Sequence, residues 1–240
     1  MPHSPFHFKQ FTIHQDKCTM KVGTDAVLLG AWTKAEDAKT ILDIGTGTGI
    51  IAIMLAQKSN AQIDALDIDK RSCEQAACNA QQSPWKDRIK VLHASLQGFV
   101  RGMQQAPVIR YDLIVSNPPY FDDKYRSSID ALNKTKHNDT LAFDDLINGA
   151  VALLEQEGRF CLILPLKEGV IFIKKALRKG LHCSKMLKVR TKIEKQEKRL
   201  LMEFRKAPVQ YSETEIVVQE ENLAYTKEYI ELTKDYYLAF

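Results

Sequence analysis

The sequence Asn117-Pro118-Pro119-Tyr120 combines residue types that can activate a planar, weakly nucleophilic amine. The side-chain oxygen of Asn117 and the carbonyl oxygen of Pro118 are acceptors that can bind the N–H groups of such an amine and favour a pyramidal nitrogen. The proline rings fix φ and hold that carbonyl in place, and Tyr120 can stack on a flat substrate. An ordinary turn requires neither an asparagine at its first position, such as Asn117, nor an aromatic residue at its last, such as Tyr120. We therefore interpret Asn117, Pro118, Pro119 and Tyr120 as catalytic residues.

A second motif, Asp43-Ile44-Gly45-Thr46-Gly47-Thr48-Gly49, lies between an apolar strand pattern and a helical one. Glycines let a backbone approach a ligand closely and adopt positive φ, and ligands of open sheets bind at the carboxyl ends of strands. The dinucleotide fingerprint has its third glycine three residues after the second, where this chain has Ile50. The early Gly49 and the acidic Asp43, two residues before the first glycine, resemble the S-adenosylmethionine motif of class I methyltransferases, in which no pyrophosphate has to be bound. This resemblance favours S-adenosylmethionine over a nicotinamide cofactor.

Further cofactor contacts are predicted at the ends of the next two strands. Asp67 follows the glycines by about 20 residues and can accept hydrogen bonds from both ribose hydroxyls. Asp69 is better explained as a helix N-cap. Ser95 stands where many enzymes with this cofactor carry an acidic residue that contacts the adenine amine. The residues predicted to bind the cofactor are Asp43, Gly45, Thr46, Gly47, Gly49, Asp67, Ile68, Ser95 and Asn117.

The two motifs together predict transfer of a methyl group from a sulfonium to a planar nitrogen, such as the exocyclic amine of adenine. The attack consumes the positive charge of the sulfonium, so neither a strong base nor a metal is required, and no metal site is predicted. Orientation of the amine at near-attack distance is expected to supply much of the rate.

Alternating strand and helix patterns from residue 40 onward should position these motifs. Five buried-type strands are followed by two more, near Met186–Val189 and Leu200–Phe204, whose short connection leaves no room for a crossover helix. This last pair should therefore be antiparallel. The pattern predicts an α/β fold of the Rossmann-like class I methyltransferase type, with a seven-stranded, mostly parallel sheet, an antiparallel terminal pair and helices on both faces.

We expect one methyltransferase domain over residues 1–240. Residues 1–39 would form a cover over the cofactor cleft, residues 40–206 the catalytic core and residues 207–240 a C-terminal extension. Within the cover segment, Thr24 is expected to cap a helix that has Asp25 in its first turn.

Composition excludes several classes of protein. No run approaches ~18 consecutive apolar residues, so no membrane span is expected, and the N-terminus lacks the pattern of a secretory signal. Five cysteines without CxxC spacing argue against disulfides and zinc and favour the cytoplasm. Net charge is only +4, but Lys167 to Lys206 holds 14 basic against 4 acidic residues, and Tyr211 to Phe240 holds 2 against 7. Charge alone does not decide whether the basic stretch is a solvated face or a phosphate-binding patch.

The beginning of the chain resembles one family closely. Residues 8–13 read FKQFTI and residues 20–32 read MKVGTDAVLLGAW, which is similar to bacterial tRNA(Val) adenine-N(6) methyltransferases, as is the ending EYIELTKDYY at residues 228–237. The resemblance implies S-adenosylmethionine as cofactor, adenine 37 beside the anticodon of tRNA(Val) as target, and the basic stretch as the tRNA-facing surface. A monomer is expected. Residues 135–138 depart from the Ala-Arg-His-Thr-like pattern expected there.

Two other functions are compatible with the motifs. Glutamine N(5)-methylation of a release factor uses the same chemistry, because a side-chain amide is also planar and weakly nucleophilic; the short segment before the first strand argues against it. A binding module that kept the cofactor fold but lost catalysis is the other alternative, and the intact Asn117 and Pro118 argue against it.

Overall fold

The computed structural model describes residues 4–18, 21–103, 109–119 and 142–240, and shows an open sheet with helices on both faces. Tyr120 and residues 135–138, which carried predictions, lie outside the described residues. The strands are β1 (Phe6–His7), β2 (Thr12–Ile13), β3 (Thr40–Ile44), β4 (Gln62–Asp67), β5 (Ile89–His93), β6 (Tyr111–Ser116), β7 (Leu154–Pro165), β8 (His182–Lys192), β9 (Arg199–Arg205) and β10 (Ser212–Gln219). The helices are α1 (Thr24–Trp32), α2 (Ile50–Lys58), α3 (Lys70–Gln82), α4 (Leu96–Met103), α5 (Phe143–Leu153), α6 (Leu166–Leu177) and α7 (Lys227–Thr233).

The main sheet has the strand order β10-β8-β9-β7-β6-β3-β4-β5. Strand β9 runs antiparallel to both of its neighbours, and the other pairs are parallel. The mostly parallel sheet and the antiparallel pairing of β8 with β9 are confirmed. The chain crosses from one side of β3 to the other between β5 and β6, which places the reversal of strand order between β3 and β6. This reversal is where open α/β sheets bind their ligands.

The sheet has eight strands, so the predicted number of seven was wrong. The additional strand is β10, which pairs parallel with β8 at the edge of the sheet. Its first four residues are exposed and only Ile216 is buried. Because so much of this edge strand is polar, its sequence lacks the apolar run typical of a buried parallel strand. The sequence pattern therefore predicts that these residues belong to an acidic C-terminal extension.

Two hydrophobic cores lie on opposite faces of the sheet. Alternation along β3 directs Ile41 into the core formed with α1 and α2, and Leu42 into the core formed with α5 and α6. Asp43 therefore points to the same face as Ile41, toward α2. An isolated bridge between Phe8 and Tyr237 joins the N-terminal segment to the C-terminal tail.

The caps of two helices test two predictions. Asp69 accepts a hydrogen bond from the Ser72 amide over 2.8 Å and caps α3, as predicted. Thr24 is not the cap of α1, because the helix begins at Thr24 itself and Gly23 occupies the cap position without a side-chain hydrogen bond. Asp25 does lie in the first turn. Among the described residues, none of the helices combines the length and apolarity needed to cross a bilayer.

Candidate active site at the carboxyl edge of the sheet

The register of three neighbouring strands brings the two motifs together at one edge of the sheet. Ile44, the last residue of β3, is level with Ser116 at the end of β6 and with Leu66 near the end of β4. Ser116 also donates its hydroxyl to the Ile44 carbonyl over 2.9 Å. Gly45 and Asn117 therefore leave the sheet side by side, with about 4.8 Å between adjacent strands.

All three glycines of the turn have positive φ, at 74° for Gly45, 55° for Gly47 and 82° for Gly49. A Cβ atom on Gly45 or Gly47 would have none of the described residues within 4 Å. These two positions thus expose backbone to a ligand. A Cβ on Gly49 would instead come within 3.2 Å of the Ala76 Cβ, so this glycine allows α3 to pack closely against the start of α2.

Asp43 is a fully buried carboxylate below the turn. Its Oδ2 accepts a hydrogen bond from the Thr46 hydroxyl over 2.7 Å, while its buried Oδ1 has no hydrogen-bond partner among the described residues. Burial raises the pKa of Asp43 to about 7, against the hydrogen bond from Thr46; the charge of Asp67 raises it further, and the backbone amide of Ala52 lowers it. The carboxylate thus lies between the glycine turn and the first turn of α2.

Asp67, at the end of β4, connects the glycine turn to the next loop. Its Oδ2 accepts the Gly47 amide over 2.8 Å, and its Oδ1 accepts the Asp69 amide over 2.9 Å. Each carboxylate oxygen has a second acceptor direction, so these two bonds leave capacity for hydroxyl donors. The carboxylate thus both orders the turn and presents acceptors beside it.

The other two predicted cofactor contacts lie farther along the same edge. The Ile68 side chain is 54% exposed, which leaves an apolar surface after β4. Ser95 follows β5, and its hydroxyl oxygen accepts the Gly98 amide over 3.1 Å at the beginning of α4. The hydroxyl proton remains available to donate, so the serine can serve as a helix cap and contact a base.

Asn117 and Pro118 lie at the point where β6 ends. Asn117 Oδ1 is buried and has no hydrogen-bond partner within the described part of the chain. Pro118 is buried and Pro119 is exposed. Buried polar atoms are ordinarily hydrogen-bonded. The described part of the fold therefore does not explain why the Asn117 oxygen is buried without a donor.

The donor and acceptor set fits S-adenosylmethionine. The backbone at Gly45 and Gly47, which the described residues leave open, admits a ligand at the switch in strand order. The Asp67 carboxylate suits the hydroxyls of a ribose, and the exposed Ile68 suits one face of an adenine ring. No pyrophosphate needs to be accommodated, in agreement with the early third glycine.

The sequence did not reveal that much of the basic stretch is internally neutralised. Strand β10 supplies Glu213, whose carboxylate lies 2.5 Å from the Lys188 amine, and Glu215, which lies 2.9 Å from the Arg190 Nε. The alternating glutamates of residues 212–219 were the available signal. Six of the fourteen cations between residues 167 and 206 have a carboxylate partner among the described residues: Lys175, Lys185, Lys188, Arg190, Arg199 and Arg205.

Comparison with known proteins gives consistent results. The methyltransferase small domain family matches residues 18–192. The tRNA1(Val) (adenine(37)-N6)-methyltransferase of Trichodesmium erythraeum is 43% identical over 238 residues, covering 98% of each chain. The protein of the same name from Phocaeicola vulgatus is 43% identical over 238 residues, covering 99% of each. A predicted O-methyltransferase from Agrobacterium tumefaciens has a similar structure, with a TM-score of 0.67, 18% identity, and coverage of 88% of this chain and 96% of that one.

Proposed function

The chain belongs to the family of tRNA1(Val) (adenine(37)-N6)-methyltransferases, and from this membership we propose that it methylates the exocyclic N6 amine of adenine 37 in tRNA1(Val). S-adenosylmethionine is the cofactor. The fold is that of class I methyltransferases, and the sequence similarity extends over nearly the whole chain.

The observation that carries the proposal is the buried Oδ1 of Asn117 beside the glycine turn, which has no hydrogen-bond partner among the described residues. This oxygen and the Pro118 carbonyl can accept the two N–H groups of an exocyclic amine. Accepting both draws the nitrogen toward a pyramidal geometry, in which its lone pair is no longer delocalised into the ring. Tyr120, which follows directly in the sequence, is proposed to stack on the base.

S-adenosylmethionine, when bound, supplies a methyl group activated by attachment to a sulfonium. The chain's own contribution is to hold and orient both reactants. Asp43, Gly45, Thr46, Gly47, Gly49, Asp67, Ile68 and Ser95 are proposed to hold the cofactor, and Asn117 to Tyr120 the amine. Burial of Asn117 Oδ1 excludes competing water, so the hydrogen bond to the amine forms in a low-dielectric environment and is stronger there.

The anticodon region of the tRNA is proposed to dock at the carboxyl edge of the sheet, where adenine 37, a loop base, is accessible without extrusion from a helix. We further propose a monomer acting in the cytoplasm. The five cysteines are all free thiols, which suits a reducing compartment.

Methyl transfer to tRNA from cells that lack this protein tests the proposal. Label from S-adenosylmethionine should appear as N6-methyladenosine at position 37 of tRNA1(Val), and not in tRNA from cells that contain the protein. Absence of label in tRNA, with the cofactor bound normally, would overturn the proposal. Label in the glutamine of a release factor instead would establish the alternative that the sequence left open.

A further inference from the structure

A cavity of about 560 Å³ lies outside the residues assigned to the reaction. It opens between the start of α1, the ends of β8 and β10, and the C-terminal tail. Its volume is in the range of small-molecule binding pockets. The lining is a mixture of aromatic rings and polar groups, which include Phe6, Thr191, Lys198, Gln219, Tyr225 and Phe240.

The cavity lies at the same edge of the sheet as the proposed active site. Arg199, which lines the cavity, pairs with Pro165 at the carboxyl end of β7. Along the adjacent pair of strands, Ser116 is level with Leu162 of β7. Two strand spacings of ~4.8 Å and a rise of ~3.3 Å per residue put Arg199, at the near rim of the cavity, roughly 12 Å from Asn117. Tyr225 lies farther away, because it bridges Gln219 on β10, and β10 is four strand spacings from β6, or roughly 19 Å. With a spacing of ~3.4 Å per stacked nucleotide, about six nucleotides of one strand cover this distance.

The aromatic wall of the cavity offers a stacking surface. Tyr225 is 44% exposed, and one face of its ring stacks on the buried Tyr229, with centroids 5.1 Å apart and an interplanar angle of 20°. The edge of Phe240 contacts the same ring, with centroids 5.2 Å apart and an angle of 78°. Tyr225 is therefore held rigidly by its neighbours while part of its surface stays in contact with solvent. A platform of this kind binds nucleobases with little regard to their identity.

Of the two cations that line the cavity, Arg199 is paired with Asp25, and Lys198 has no acidic partner within 4 Å among the described residues. Lys192, Lys195 and Lys198 lie at the turn between β8 and β9, and none of them has an acidic partner within 4 Å in the described part of the chain. The cations farther back along β8 do have partners, such as Glu213 for Lys188. Lys198 thus places an unpaired positive charge next to the aromatic wall, where an RNA phosphate would be attracted.

We propose that this cavity is a second nucleotide site, in which an unpaired base of the substrate RNA stacks on Tyr225 and an adjacent phosphate lies against Lys198. The inference rests on the proposed function, because it needs an RNA substrate. It adds a contact about six stacked nucleotides from the methylated adenine, made by the C-terminal tail and the β8–β9 turn. Such a contact would fix the register of the RNA without touching the reacting amine.

Steady-state kinetics with whole tRNA test this site. Tyr225→Leu should raise KM for tRNA about tenfold and leave kcat and the Kd for S-adenosylmethionine within about twofold, whereas Tyr225→Trp keeps a ring and should bind tRNA nearly as well as the unmodified protein. Tyr211→Leu is the matched control, because Tyr211 is 47% exposed and does not line the cavity.

The salt dependence of tRNA binding tests the phosphate contact. Lys198→Gln should lower the slope of the logarithm of the tRNA-binding constant against the logarithm of the salt concentration by about one unit. Lys39→Gln, at the opposite edge of the sheet, should leave this slope unchanged.

Abasic substitutions in the RNA identify the base. One abasic position should weaken binding to the unmodified protein about as much as Tyr225→Leu does, and should weaken binding to Tyr225→Leu no further.

An unchanged KM for tRNA in a folded Tyr225→Leu protein would overturn the inference. Equal losses of tRNA affinity in Tyr225→Leu and Tyr225→Trp would overturn it as well. If the unmodified protein methylates no tRNA, the proposed function fails; if it does and the Tyr225 variants match it, only the second nucleotide site fails.

Discussion

Gly47 donates its backbone N–H to Asp67 Oδ2 over 2.8 Å, and this bond joins the glycine turn after β3 to the end of β4. Asp67 is thereby more than the proposed partner of the cofactor ribose. It orders the turn on which the cofactor is proposed to lie, and its other oxygen accepts the Asp69 amide that leads into α3. A single carboxylate thus sets the relative positions of two loops.

Asp67→Asn should weaken S-adenosylmethionine binding by about 10- to 100-fold. The substitution replaces one acceptor oxygen with an NH2 donor and removes the negative charge that strengthens the remaining hydrogen bonds. Isothermal titration calorimetry on the tRNA-free protein measures this directly. Asp69→Asn is the matched control: asparagine caps helices as well as aspartate does, so its Kd should stay within about twofold. If the two substitutions raise the Kd for S-adenosylmethionine equally, Asp67 affects cofactor binding only through the structure of the loop.

Asn117→Ala should lower kcat about 100-fold or more while the Kd for S-adenosylmethionine changes by less than about threefold. The loss is that of a buried acceptor aligned with the reacting amine, and comparable preorganised groups contribute about this much. Single-turnover methylation of tRNA separates this effect from product release. Asn148→Ala, an exposed asparagine on α5, should retain full activity. A binding module without catalysis would show no turnover to lose.

Residues with a strong local pattern were predictable from sequence. The buried apolar strands and the two turns that follow β3 and β6 were recognised because parallel strands read as continuous hydrophobic runs ending in glycine or proline. The N-cap at Asp69 was predictable too, because an aspartate three residues before Ser72 has a preferred local hydrogen bond.

The missed features depend on long-range contacts. Thr24 was the better capping residue by type, yet the helix begins one residue earlier and Gly23 takes the cap position. In the first turn of the same helix, Asp25 accepts a hydrogen bond from Arg199 on β9, which is 174 residues away in sequence. Strand β10 was hidden because its glutamates satisfy lysine and arginine side chains on β8, a pairing visible only once the two segments are adjacent.

Asp43 should give the apo protein a characteristic pH dependence of stability. Its pKa is raised from 3.8 to about 7 by burial, so the folded state holds a proton that the unfolded state has released between those values. Stability from Asp43 is therefore present below about pH 4 and is lost as the pH rises through about 7. Asp43→Asn removes this dependence, and its Tm relative to the unmodified protein should rise by about 5 °C or more from pH 5 to pH 8.

Thermal unfolding of both proteins over that pH range checks the sign. Asp69→Asn provides a comparison without pH dependence in this range, because hydrogen bonds from Ser72 lower the pKa of Asp69. Stability from that carboxylate is present above its unfolded pKa of 3.8 and is lost only as the pH falls below about 4, so the Tm of Asp69→Asn relative to the unmodified protein should stay constant from pH 5 to pH 8. A difference between Asp43→Asn and the unmodified protein that is constant from pH 5 to pH 8 would show that Asp43 stays ionised in the folded state.

Gly47→Ala and Gly49→Ala should separate the two functions of the glycine turn. Both positions have positive φ, so each alanine costs about 1 kcal/mol in backbone strain. At Gly49 the new methyl group also meets the Ala76 Cβ at 3.2 Å and Cα at 3.3 Å, so α3 must shift and the loss of stability should be larger by about 1 kcal/mol. At Gly47 the methyl group enters open space, so the cost should fall on S-adenosylmethionine binding instead. Urea unfolding and calorimetric titration of both variants measure the two effects separately. If Gly47→Ala binds the cofactor as tightly as the unmodified protein, the cofactor does not lie against this turn.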